Sequence, residues 1–122
     1  MKNEEQQLQS LKERTKEFAL RVIRLYSALP QLTVAQVIGK QILRSGTSVG
    51  AHYREAYRSR SKAEFISKIE GGLQELEETC YWLELLIEAN VFPEEKLKPL
   101  LGEANELTAI LITVVKNVKV SS

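Results

Sequence analysis

Apolar side chains recur along this chain at alternating intervals of three and four residues, in four stretches separated by Pro30, a short basic turn near residue 59, and Pro93. That interval matches a helix that buries one face, so the chain is constrained to pack helices against one another. In the first stretch, Glu4 to Leu29, the seam is Leu8, Leu11, Thr15, Phe18, Val22, Leu25 and Leu29. Ala19, Ile23 and Tyr26 widen it beyond the stripe of a two-stranded coiled coil. Pro30 stops the helix, and Thr33 is placed to cap the next.

The second stretch, Val34 to Tyr57, carries Ile38, Ile42, Val49, Tyr53 and Ala56 on one face, with Lys40, Thr47, Arg54 and Arg58 pointing away. A further stripe, Gln41, Arg44, Ser45, Ser48, His52 and Glu55, is polar but mostly short. Ser61 and Glu64 then form the pattern of a capping box, opening a third helix to about Ala89 whose seam is Phe65, Ile69, Gly72, Leu76, Cys80, Leu83 and Ile87. Asn90 is suited to ending it. In the fourth stretch Leu97, Leu100, Ala104, Leu107, Leu111, Val114 and Val118 continue the spacing, with Pro93 expected at the first helical position. Pro99 predicts a kink or a start near Lys98. The run from Leu107 to Val115 is apolar on most sides and β-branched, but a lone strand would have no ladder partner, so a helix is expected there.

Four segments of about 25 residues with short connections predict an all-α, up-down-up-down four-helix bundle forming one domain over residues 1–122. The surplus of apolar surface on the fourth segment predicts that bundles associate. All six glycines fall within predicted helices, at a cost of about 0.8–1 kcal/mol each relative to alanine. Either Gly46, Gly50 and Gly72 let backbones approach closely or the second segment is partly broken.

Composition excludes several classes. With one cysteine, Cys80, no intramolecular disulfide forms. A single histidine followed by glutamate in the order His52-x-x-Glu55 does not supply a di-iron bundle, and one Cys with one His does not supply a zinc site, so no cofactor or metal is expected. A Cys80–His52 nucleophile pair is disfavoured because Cys80 lies on the apolar seam. The polar N-terminus and the lack of a long apolar run predict a cytoplasmic protein with no membrane partner. Net charge is only +1, but residues 40–68 hold seven Lys or Arg against two Glu, while residues 69–106 hold two Lys against ten Glu. Such lopsidedness suits self-assembly through opposite faces or an anionic partner at the basic end.

The sequence RSGTSVGAHYREA at 44–56, with Arg60-Ser61-x-x-Glu64-Phe65 and Glu78-Thr79-Cys80-Tyr81-Trp82-Leu83, resembles the bacterial four-helix-bundle family named for intervening sequences in large-subunit ribosomal RNA genes. Arg44, Ser45, Ser48, Val49, Ala51 and Glu55 match the family pattern, whereas His52 stands where the family usually has Asn. The resemblance implies a bundle that assembles as a ring-like homopentamer with no known catalytic activity. It also implies a link to nucleic acid through the family's genomic setting, and a fold similar to that of the accessory protein of diversity-generating retroelements, which assists a reverse transcriptase.

Two sets of candidate residues follow. Arg54, Arg58, Arg60 and Lys62 form the best nucleic-acid footprint, for RNA, DNA or a protein that processes them. Arg44, Ser45, Ser48, His52 and Glu55 are expected to form a polar network that holds helices or subunits in register, with Glu55 paired to Arg44, to Arg58 or to a neighbouring subunit, and His52 hydrogen-bonded. The expected function is a non-enzymatic, oligomeric scaffold or accessory protein; the alternative is a protein-interaction adaptor that binds no nucleic acid.

Overall fold

In the computed structural model, which describes residues 3–121, four helices account for nearly all of the chain: α1 (Glu4–Ala28), α2 (Thr33–Tyr57), α3 (Lys62–Glu88) and α4 (Glu94–Val120). No strand occurs among the described residues, and the β-branched run ending at Val115 is helical. Each helix packs on its two neighbours in the order α1, α2, α3, α4 and back to α1. Cross-helix pairs run in opposite order along every neighbouring pair. Leu8 meets Tyr53 while Tyr26 meets Gln36, Glu55 meets Lys68 while Arg44 meets Glu78, and Glu70 meets Lys119 while Cys80 meets Asn105.

The three-four seams form the core. Leu11, Phe18, Val22 and Leu25 from α1, Ile42, Val49 and Tyr53 from α2, Ile69, Leu76 and Leu83 from α3, and Leu97, Leu107 and Leu111 from α4 are all buried. On α3 the seam departs from expectation: Thr79 and Leu86 are buried, whereas Cys80 and Ile87 are only half-buried. Ile23 does not widen the α1 seam either, because it faces outward and is exposed.

Helix ends follow from local chemistry. Asn3 and Gln6 form a reciprocal capping box at the start of α1. At α3 only half of the expected box is made, with the Ser61 hydroxyl accepting from the Glu64 amide at 3.0 Å. Thr33 is not a cap: it is the first helical residue of α2, and Leu32 precedes it with no side-chain hydrogen bond. That corner is held instead by Gln36, whose amide donates to the Pro30 carbonyl at 2.9 Å while its oxygen accepts from the Tyr26 hydroxyl at 3.0 Å. Beyond α3, Asn90 adopts the left-handed conformation (φ 54°), with Asn90 N–H donating to Ile87 and Val91 N–H to Leu86, the Schellman arrangement.

Pro93 precedes α4 as its N-cap instead of opening it, and the helix begins at Glu94, not near Lys98. Pro99 lies inside it. This early in a helix the ring removes one backbone bond, to the exposed Glu95, and water can satisfy that carbonyl.

Glycines explain how closely α2 packs. A Cβ on Gly46 would lie 2.6 Å from a Val22 methyl, and one on Gly50 would lie 3.4 Å from the Thr15 carbonyl oxygen. Helix α2 is continuous, so these glycines serve close approach and do not break it.

Candidate interaction surfaces

The short polar stripe of α2 faces α3. Its five candidate residues do not bond one another side chain to side chain; four of them reach across to α3. The Arg44 guanidinium pairs with Glu78 and, at 3.4 Å, with Glu75, and it also donates to Gln41 on its own helix. These carboxylates, Glu78 foremost, hold its pKa above the usual arginine value. The Ser45 hydroxyl meets the Thr79 hydroxyl at 2.7 Å in the buried interior, and each also reaches the carbonyl four residues earlier in its own helix. Ser48 bonds only the Arg44 carbonyl, at 2.7 Å.

His52 and Glu55 depart from expectation. The His52 ring packs against α3 where Gly71 leaves room, since a Cβ there would fall 2.8 Å from the ring. Its Nε2 is 3.8 Å from a Glu75 oxygen, within ion-pair range but beyond a hydrogen bond, and its Nδ1 is buried without a partner. Glu55 pairs with Lys68 at 3.3 Å and with neither Arg44 nor Arg58. Neighbouring carboxylates and arginine converge on an open groove of about 590 Å³ bordered by Arg44, Glu75, Glu77, Glu78 and Tyr81.

Glu75, Glu78, Thr79 and Lys68 were not identifiable as partners from α2 alone. An antiparallel register that sets Ser45 beside Thr79 carries Glu55 to the level of Lys68, so aligning the two segments would have found them. A second cross-helix clamp was also missed. Arg14 on α1 donates twice to Glu103 on α4, at 2.8 and 2.9 Å, and pairs with Glu106 at 2.7 Å. The hydrogen bond from Arg14 holds the Glu103 carboxyl below its usual pKa.

The basic cluster spans the α2–α3 corner. Arg54 lies in the last turn of α2, Arg58 caps it, Arg60 is in the connection and Lys62 opens α3. Lys62 donates to the Ser121 carbonyl. Among the described residues no carboxylate lies within ion-pair distance of Arg54, Arg58 or Arg60, although Arg54 and Arg58 do complement the negative end of the α2 dipole.

Cys80 faces α4, its thiol 3.5 Å from the Asn105 oxygen, on the other side of α3 from His52. Burial, with the Glu84 and Glu77 charges, pushes its pKa up, so the thiol stays protonated and weakly nucleophilic. Among the described residues no three metal-ligating groups converge, and no helix is long and apolar enough to cross a membrane.

Comparison with known proteins agrees with this architecture. A crystal structure described as a protein of unknown function from the S23 ribosomal protein family of Bacteroides thetaiotaomicron VPI-5482 is 40% identical, covers 89% of this chain and 97% of its own, and superposes with a TM-score of 0.83. No curated protein matches. The sequence profile of the 23S rRNA-intervening sequence protein family matches residues 7–113. With that profile spanning most of the four helices, the chain belongs to the 23S rRNA-intervening sequence protein family.

Proposed function

We infer that this protein is a non-enzymatic helical bundle that self-assembles, as a homopentamer, into a cytoplasmic scaffold beside nucleic acid. The observation that carries the reading is apolar surface left outside a filled core. Leu32, Val34 and Val37 are 55%, 46% and 57% exposed within two turns at the start of α2, and Ile23 and Ile112 are exposed on α1 and α4. Scattered exposed apolar residues are ordinary, but a run of three in six positions favours burial against another protein surface.

Support for the non-enzymatic part comes from how the reactive groups are occupied: Glu75 and Glu78 are both ion-paired to Arg44, and Cys80 is held as the thiol. Support for nucleic acid comes from the family description and from three corner arginines that, among the described residues, no carboxylate pairs with. Co-sedimentation with RNA of mixed sequence tests this part. Retention at low salt that falls steeply as salt rises supports it; no retention at low salt overturns it.

The adaptor reading has one observation in its favour, a groove of about 260 Å³ between α1 and α4 lined by Leu25, Ala28, Phe92, Pro99 and Leu100 among basic residues. A specific protein that co-purifies in stoichiometric amount, with no nuclease-sensitive absorbance, would select it.

A further inference from the structure

Two outward-facing stripes of equal length run along adjacent helices. On α2 it is Lys40, Arg44, Thr47, Ala51, Arg54 and Arg58; on α3 it is Glu70, Gln74, Glu77, Tyr81, Glu84 and Glu88. Both advance by four, three, four, three and four residues, so each forms a straight ridge on its helix. The α2 ridge has four cations and no anion, and the α3 ridge has four anions and no cation. The centre of the first is small, while the centre of the second projects Tyr81, which is 54% exposed.

Most of these charges are unused within the chain. Arg44 is held by Glu75 and Glu78, and Glu70 by Lys119, but Lys40, Arg54, Arg58, Glu77, Glu84 and Glu88 have no ion pair among the described residues. Glu88 is the last residue of α3 and Glu84 lies one turn before it, both at the negative end of the helix, whose last turn holds no basic residue. Carboxylates there are unfavourable for their own helix, which points to a cation supplied from elsewhere. Within one chain the two ridges flank the groove bordered by Arg44, Glu77 and Tyr81, and the one ridge cation that reaches α3 there, Arg44, pairs with Glu75 and Glu78, which lie off the α3 ridge.

We propose that the α2 ridge of one copy docks antiparallel on the α3 ridge of the next, and that this contact builds the assembly; the proposal rests on the self-assembly reading above. In the register that matches the spacings, Lys40 faces Glu88, Arg44 faces Glu84, Thr47 receives Tyr81, Ala51 faces Glu77, Arg54 faces Gln74 and Arg58 faces Glu70. Antiparallel order is the one that copies related by an axis along the bundle must adopt, because α2 and α3 already run in opposite directions within each chain. The contact is heterologous, and repeated about an axis along the bundle it closes a ring.

Sedimentation velocity on the full chain and three variants tests it. Lys40→Glu with Arg58→Glu sets carboxylates against Glu88 and Glu70; Glu70→Lys with Glu88→Lys sets ammonium groups against Arg58 and Lys40. Each pair is expected to weaken assembly by about tenfold or more, because like charges then face each other. The chain carrying all four substitutions has both facing pairs, 40 with 88 and 58 with 70, exchanged in sign and is expected to regain assembly, which a misfolded or generally destabilised variant would not do. Unchanged assembly in both pairs, or no recovery in the fourfold variant, overturns the proposal while leaving self-assembly intact. Loss of RNA retention by Lys40→Glu with Arg58→Glu at unchanged mass would also overturn it and assign the ridge to nucleic acid. An unsubstituted chain that sediments as a monomer overturns the self-assembly reading itself.

Discussion

The Ser45 and Thr79 hydroxyls meet at 2.7 Å between α2 and α3, both side chains fully enclosed, and this is the polar contact that fixes the register of those helices from inside the bundle. One hydroxyl donates to the other, which in turn donates to a carbonyl of its own helix, Gln41 or Glu75. A buried polar pair satisfied in this way resists a slip along the helix, because a slip breaks the hydroxyl–hydroxyl bond and leaves each group only its own-helix carbonyl.

Removing both members should therefore cost less than the two single removals added together. Thr79→Val is expected to destabilise the bundle by about 1 kcal/mol, while Ser45→Ala with Thr79→Val together should cost less than the sum of the two single changes. Urea unfolding of the four chains of the cycle checks it; strict additivity would show that the contact contributes nothing.

Two glycines should respond with opposite sign. Ala at Gly46 would press on Val22, a β-branched side chain wholly inside the core, and is expected to destabilise by about 1–3 kcal/mol. Ala at Gly102 meets nothing within 4 Å and should stabilise by about 0.8–1 kcal/mol through helix propensity alone. Thermal unfolding of both variants separates them. A stabilising Gly46→Ala would contradict the close packing of α1 on α2.

These examples show what was legible in the sequence. The three-four rhythm located all four helices and most of the core, because burial of one face leaves that rhythm directly in the residue types. It misplaced the α3 seam because Thr79 looks polar in isolation; only its bonds to Ser45 and the Glu75 carbonyl make burial tolerable. The α2 polar stripe was visible, but its partners were not, since cross-helix pairing depends on a register set by distant contacts. Pro99 misled for a different reason. Position within a helix, not the presence of proline, decides the cost, and the bond lost here falls on an exposed carbonyl.

Acid should weaken the α1–α4 clamp. The Arg14 hydrogen bond depresses the Glu103 pKa in the folded protein, so the stabilisation is present above the ordinary carboxylate value of about 4.3 and is lost as pH falls through the lower folded value. Glu103→Gln is expected to be less stable than the parent by about 1 kcal/mol at neutral pH, with the gap narrowing under acid conditions. Urea midpoints measured from neutral pH downward follow the difference; a gap that stays constant would place the effect elsewhere.

Alkali should act on α1 and α2. The Tyr53 hydroxyl donates to the Leu8 carbonyl, and burial raises its pKa, so its contribution is full below the ordinary tyrosine value of about 10 and declines as pH rises through the higher folded value. Tyr53→Phe should lose about 1 kcal/mol near neutrality and should lack this alkaline decline. Parallel stability curves for the two chains from pH 8 to 11, taken as about the span in which tyrosine ionisation matters, would contradict the assignment.

Sedimentation velocity of the unsubstituted chain over a range of concentrations tests self-assembly most directly. One boundary at about five times the 13.8 kDa chain mass is the predicted result, with its position holding on dilution. A single boundary at 13.8 kDa throughout would contradict it.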